Sequence, residues 1–195
     1  MIWIVFDYGN VLSLPQSPEE NRAMARAAGA DPHAFERGYW EHRLEFDRAA
    51  LTPEEYWSKV LGRQATDAEL ARLVEMDVAS WSHPNHATLE VTGELAAAGR
   101  RLALLSNAPA CVADGIDGLP WLAPFEPRVY SARIGMVKPD VEIYEHLLAR
   151  LGAESPRDVV FVDDRLENVH GAERAGLTGV HFTGAERLRA DLALL

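Results

Sequence analysis

Ile2-Trp3-Ile4-Val5-Phe6-Asp7-Tyr8-Gly9-Asn10-Val11-Leu12 runs five apolar residues, rich in β-branched and aromatic types, into an aspartate, after which a glycine and an asparagine break the pattern. An unbroken apolar run of this kind reads as a strand buried on both faces, at the centre of a parallel sheet. Asp7 stands at its carboxyl end, the edge of an open α/β sheet at which ligands bind. Taken alone, Asp7 reads equally well as a turn residue beside Gly9.

The rest of the chain supplies the partners such a strand needs. Arg101–Leu105, Arg128–Ser131, Val159–Val162 and Gly179–Phe182 read as further strands, separated by helical stretches over 85–98, 138–151 and 165–175 and followed by a short terminal helix. Strands alternating with helices of this length imply a doubly wound parallel sheet with helices on both faces. Residues 15–83 interrupt the alternation with four expected helices, starting near Pro18, Asp31-Pro32, Thr52-Pro53-Glu54-Glu55 and Thr66-Asp67-Ala68-Glu69. The last two carry capping-box signatures. The expected organisation is an α/β core of residues 1–14 and 84–195 with a helical cap, residues 15–83, inserted after the first strand.

Composition narrows the partners. A net charge of −11 and a pI near 5.0 argue against nucleic acid, whose phosphates attract basic surfaces. No apolar run approaches a membrane span, and Asp7 interrupts the N-terminal run, so neither a membrane anchor nor a signal peptide is expected. Cys111 is the lone cysteine, which excludes an intramolecular disulfide and makes a reducing, cytoplasmic compartment the simplest expectation. Monomer and homodimer both stay open, because a surface apolar patch is not distinguishable from core in sequence.

Polar residues end three of the buried strands: Asp7, Ser106-Asn107 and Asp163-Asp164. In a parallel sheet these ends share one edge, and Lys138, at the start of a helix, can lie over the same edge. Two carboxylates from different strands suit Mg²⁺, which prefers oxygen ligands and shares itself with substrate phosphate. Lys138 would neutralise phosphoryl charge, Ser106 and the Asn107 N–H would donate to phosphoryl oxygens, and Asp7 could attack phosphorus. Each has a structural alternative: a turn at Ser106-Asn107, a helix N-cap at Asp164, a solvated charge at Lys138. Lys59 and Lys138 are the only lysines in a chain that otherwise uses arginine, which weakly favours a site requiring a compact ammonium.

Asp7-Tyr8-Gly9-Asn10-Val11, Leu105-Ser106-Asn107, Lys138-Pro139 and Phe161-Val162-Asp163-Asp164 with Asn168 resemble the four motifs of the haloacid dehalogenase superfamily. The likeness spans the α/β core, and the helical insertion is similar to the small cap of one large subgroup. The forms Asp-x-Gly-Asn-Val and Val-Asp-Asp-x-x-x-Asn resemble the branch of glucose-1-phosphate phosphatase-like enzymes and the phosphatase domain of soluble epoxide hydrolases.

The resemblance implies a Rossmann-like core and a Mg²⁺-dependent phosphatase acting on a small phosphorylated metabolite, a sugar phosphate among the options. Asp7 would be nucleophile and metal ligand, with the Gly9 carbonyl and Asp164 completing the protein's share of the metal shell. Asp163 would ligate through water or orient Lys138, and Ser106, Asn107 and Lys138 would bind phosphate.

One position departs from the pattern. Most phosphatases of the superfamily carry a general-acid aspartate two residues after the nucleophile, where this chain has Gly9. Loss of a general acid removes ~10²–10⁴-fold in rate. A metal-free 2-haloacid dehalogenase, which also lacks that aspartate, is an alternative, opposed by the Asp163-Asp164 pair. A non-catalytic phosphate- or partner-binding module is another, opposed by the retained Asp7, Ser106, Lys138 and Asp164. In the expected cap, Trp40, His42, Arg43 and Asp47 are placed together around one helix as candidates for substrate choice.

Overall fold

The computed structural model describes residues 2–193. β1 (Trp3–Phe6) forms where the apolar run places it, and Val5 and Phe6 are fully buried. It pairs in parallel with β2 (Arg101–Ser106) on one side and β4 (Val159–Asp163) on the other, Phe6 standing level with Leu104 and Val162. β3 (Phe125–Tyr130) and β5 (Thr178–His181) form the edges, giving a five-stranded parallel sheet in the order β3-β2-β1-β4-β5. Because all strands run the same way, the residues after Phe6, Leu105 and Val162 meet along one edge.

Alternation along the strands separates two apolar layers. Ile4, Phe6, Leu102, Leu104, Val160 and Val162 face helices α6 (His86–Ala97), α7 (Ala110–Ile116) and α11 (Ala185–Leu192). Val5, Ala103, Leu105, Val159 and Phe161 face α9 (Val141–Leu151) and α10 (Leu166–Arg174). This is the doubly wound arrangement.

Several elements differ from the sequence reading, among them α7, which forms between β2 and β3 where no helix was expected. β3 begins at Phe125, not Arg128, and runs through Pro127. Proline removes a ladder donor and argues against a strand, but β3 is an edge strand paired only with β2, where the missing N–H is tolerated. The insertion between β1 and β2 contains five helices, not four: α1 (Pro18–Ala27), α2 (Pro32–Glu41), α3 (Arg43–Asp47), α4 (Pro53–Leu61) and α5 (Asp67–Ser80). The extra boundary is a break at His42, between α2 and α3. A one-residue kink leaves Phe35, Tyr39 and Phe46 on the buried side, so apolar periodicity does not register it.

Ser17, Thr52 and Thr66 cap α1, α4 and α5 with reciprocal capping boxes. The insertion has its own apolar cluster around Phe35, Tyr39, Phe46, Tyr56 and Trp57, in which Phe46 stacks on Tyr56 with centroids 4.1 Å apart. Such aromatic pairs add about 0.5–1.5 kcal/mol beyond area burial. The two passages joining insertion and sheet run side by side: Leu14 N–H donates to the His83 carbonyl at 2.7 Å and Asn85 N–H to Leu12 at 2.9 Å. On the far side, the Ser131 hydroxyl, at the start of α8 (Ser131–Ile134), donates to the Asp47 carbonyl at 2.6 Å. These contacts hold α3 over the carboxyl edge of the sheet. Among the described residues no helix is long and apolar enough to cross a membrane.

Candidate active site

β1 delivers Asp7 to the sheet edge, where its backbone N–H still donates to the Val162 carbonyl at 2.9 Å. The chain then makes a wide turn over Tyr8–Leu12, closed by the Ser13 N–H on the Tyr8 carbonyl. Asn10 lies at φ 61°, a left-handed conformation that asparagine adopts more readily than most residues. That turn aims the Asn10 amide at Asp164, 2.9 Å from Oδ2. Gly9, by contrast, sits at an ordinary φ of −63°. What favours a glycine there is space, since a Cβ would lie 3.3 Å from the Trp81 ring, which would have to give by a few tenths of an ångström. Trp81 cannot swing away freely: its carbonyl accepts from the Tyr8 hydroxyl at 2.7 Å and its Nε1 donates to the Tyr39 hydroxyl at 3.1 Å. An indole thus fills the room beside position 9.

Lys138 is almost wholly buried, and its Nζ lies 2.6 Å from Asp7 Oδ1, 2.7 Å from Asp163 Oδ2 and 3.1 Å from the Leu105 carbonyl. The Asn107 side chain clamps its backbone from both directions, accepting from the Lys138 N–H at 2.9 Å and donating to its carbonyl at 3.0 Å. Asp163 is fully buried and does not line the cavity. Besides Lys138 it accepts from the Arg165 N–H at 2.8 Å and from Asn168 Nδ2 at 3.0 and 3.1 Å. It is therefore a fixed anchor for the ammonium. The helix-cap alternative for Asp164 does not hold, since the residue capping α10 is Arg165 and its N–H is taken by Asp163.

Asp7, Asp163 and Asp164 each offer a carboxylate oxygen within 4.8 Å of the others. Burial pushes the Asp7 carboxyl up to about 8; Asp163 and Asp164 push the same way and Lys138 pulls against them. Burial also raises Asp164, while Asn10 pulls it down. For Lys138, burial pulls the ammonium down, but Asp163 and Asp7 outweigh it and hold it charged. Three carboxylates facing one ammonium leave an excess of negative charge, and all the free donors are oxygens. That donor set fits a hard divalent cation such as Mg²⁺. Of the three carboxylates, Asp7 and Asp164 line the cavity and are the ones that could hold it.

The edge opens into a cavity of about 330 Å³. Asp7, Gly9, Ser106, Asn107, Lys138 and Asp164 line its floor. Of the candidates in the insertion, Trp40, Arg43 and Asp47 line its roof and His42 does not. These residues are not around one helix: the break at His42 puts Trp40 on α2 and Arg43 and Asp47 on α3. Trp40 is half exposed, whereas Arg43 and Asp47 are buried. Arg43 Nε lies 2.9 Å from Asp47 Oδ1, and its Nη1 lies 3.3 Å from Asp77 Oδ2 and also contacts the Tyr39 hydroxyl. Burial pushes the Asp47 carboxyl up, against the pull of Arg43.

Sequence reasoning missed Trp81, Asp77 and Tyr39, which carry no motif signal and reach the site only through packing. It also missed the part played by Asn10, for which its place directly after Gly9 in the first motif was an available signal.

The haloacid dehalogenase-like hydrolase family matches residues 3–176 of the chain. A sesquiterpene phosphatase from Aspergillus oryzae is 26% identical over 182 residues, covering 92% of this chain and 88% of its own. A haloacid-dehalogenase-family enzyme from Bacteroides thetaiotaomicron, solved with magnesium and inorganic phosphate, superposes with a TM-score of 0.66 at 18% identity over 94% of this chain and 95% of its own. The L-2-haloacid dehalogenase of Xanthobacter autotrophicus superposes with a TM-score of 0.72 at 20% identity, over 100% and 83%. At such identities the two structures speak for the fold alone, while the family match extends over nearly the whole chain, from the strand bearing Asp7 past the helix bearing Asn168. The chain is an enzyme and belongs to the haloacid dehalogenase-like hydrolases.

Proposed function

We propose that the protein is a Mg²⁺-dependent phosphomonoester hydrolase that works through an aspartyl-phosphate on Asp7. The observation that carries this reading is the meeting of Asp7, Asp163 and Asp164 around the buried Lys138 at one sheet edge. The likeness to a curated phosphatase along most of both chains supports it. In this reading residues 15–83 form a cap over a core of 1–14 and 84–195.

The Tyr8 N–H and Lys138 both contact Asp7 Oδ1, which turns the carboxylate and leaves Oδ2 without a donor among the described residues. An Asp7 oxygen attacks phosphorus, the bond from phosphorus to the ester oxygen breaks, and the alcohol departs. Water then attacks the phosphorus of the aspartyl-phosphate, releasing inorganic phosphate and regenerating the carboxylate. Lys138, Ser106 and the Asn107 N–H hold the phosphoryl oxygens, with Asp163 and the Asn107 side chain keeping the ammonium in place. Asp7, Asp164 and the Gly9 carbonyl would hold Mg²⁺, which when bound neutralises charge on the phosphoryl group. With glycine at position 9, the departing oxygen takes its proton from water. The enzyme then favours esters whose leaving oxygen demands little protonation, anomeric sugar phosphates among them.

A panel of phosphorylated metabolites and 2-haloacids, assayed with Mg²⁺ and with chelator, tests the proposal. Phosphate release that requires Mg²⁺ and vanishes in Asp7→Asn is the expected result. Phosphate release surviving either treatment refutes the mechanism, and halide release indifferent to chelator selects the dehalogenase.

A further inference from the structure

Four large apolar side chains are about half exposed among the described residues: Leu14, Trp40, Leu44 and Leu166. Singly exposed apolar residues are ordinary and call for no explanation. Trp40 and Leu44 are different because both line the cavity above Lys138, together with Trp81, Val112 and Tyr8. The Trp40 ring packs edge-on against Trp81 with centroids 6.5 Å apart and against Tyr39 at 4.9 Å, so it is held as a wall. Tyr8 is backed by Trp121, stacked at 5.5 Å.

The polar groups of the roof are partly engaged with one another. Arg43 and Asp47 pair with each other at 2.9 Å, and Asp77, fully buried behind them, takes Arg43 and the Tyr39 hydroxyl. A cavity of about 330 Å³ holds more than a phosphate group. With the phosphate on the floor, the remaining space faces the rings of Trp40, Trp81 and Tyr8 and the side chains of Leu44 and Val112, with Asn10 and Arg165 also lining the cavity; a hydrocarbon group on that apolar surface loses no hydrogen bonds, whereas sugar hydroxyls there need partners. The indole of Trp81 beside Gly9 extends the same apolar surface down to the reacting centre.

We infer that the substrate is a phosphate monoester of an apolar, ring-sized hydrocarbon group, recognised by Trp40, Leu44 and Trp81. This rests on the phosphatase reading and narrows it away from sugars. Trp40 and Leu44 are the specificity-determining pair, since each presents an exposed apolar face to the cavity and makes no side-chain hydrogen bond among the described residues, whereas Trp81 is also tied to the site by its hydrogen bonds.

Benzyl phosphate and glucose 6-phosphate both leave a primary alcohol oxygen, so they differ in the organic group and not in the difficulty of departure. The wild type should show kcat/KM for benzyl phosphate higher by about tenfold or more, a factor that one apolar contact surface supplies. Trp40→Ala should abolish most of that ratio through KM, with kcat nearly unchanged, and Trp40→Phe should retain it. Equal or better hydrolysis of glucose 6-phosphate, or a ratio indifferent to Trp40→Ala, overturns the inference.

Binding provides a readout without turnover. Benzylphosphonate, measured calorimetrically in Mg²⁺, should bind tighter than methylphosphonate in the wild type and lose the advantage in Trp40→Ala. If no ester is hydrolysed but this difference appears, the phosphatase reading fails and the apolar pocket stands. If esters are hydrolysed and the difference is absent, the reverse holds.

Discussion

Lys138→Met removes the ammonium from between Asp7 and Asp163 while keeping a side chain of similar length. In the wild type the ammonium lies 2.6 and 2.7 Å from the two carboxylates and is shielded from water along with them. Met leaves Asp163, which is fully buried, with no cation to offset its charge. Breaking a buried pair by removing one partner costs about 3–5 kcal/mol, because the remaining charge keeps its desolvation penalty. That is a large share of the roughly 5–15 kcal/mol by which a domain is stable. Urea unfolding followed by far-ultraviolet circular dichroism, in chelator, measures the loss. The double variant Asp7→Asn/Lys138→Met should be less destabilised than the sum of its single variants, by about 0.5–3 kcal/mol, since it removes one of the carboxylates left unpaired. A loss under about 1 kcal/mol with an unchanged m-value, or strict additivity, would refute the argument that the ammonium holds the carboxylates together.

Gly9→Asp should destabilise by about 1–3 kcal/mol, because its Cβ meets the Trp81 ring at 3.3 Å; it should accelerate hydrolysis of alkyl phosphates only when combined with Trp81→Ala, and a faster single variant contradicts the steric account. Arg43→Met, which strands Asp47 and the fully buried Asp77, should lower stability by about 3 kcal/mol in thermal or urea unfolding; a change below 1 kcal/mol would mean that the two carboxylates do not depend on the guanidinium. Gly171→Ala puts a Cβ 2.7 Å from the Pro139 carbonyl and 2.9 Å from Tyr144, so it should push α10 off the Lys138 segment, reducing kcat as well as stability, and an inert variant rules out that close packing. Burial raises the Cys111 thiol from 9.0 to about 11, Asp77 adding to the effect. At pH 8, below both values, this leaves about a hundredfold less thiolate, so iodoacetamide should label Cys111 far more slowly than a free cysteine, and equal rates refute it.

The chain's local signals were sufficient for the central strands and most of the helix starts. Unbroken apolar runs mark β1, β2 and β4 because those strands are buried on both faces, a condition visible in each stretch by itself. The capping boxes at Thr52 and Thr66 mark helix starts because donor and acceptor lie three residues apart. Parallel pairing then brings Asp7, Ser106 and Asp163 to one edge, which is why their meeting there was legible in the sequence. β3 and the break at His42 were not, since a proline in an edge strand and a kink that preserves the apolar face both mimic other structure locally.

Tertiary structure alone decided the upper half of the site. Trp81 lies far from Gly9 in the chain, yet its ring sets what position 9 can hold. Asn107, expected to serve phosphate through its N–H, also spends its side chain clamping Lys138. Arg43 and Asp47 could have been solvated charges on a helix, and packing against Asp77 and Tyr39 made them a buried network. In each case the deciding quantity is desolvation or contact between residues remote in sequence, which depends on the distance between elements and leaves no periodic trace in the chain.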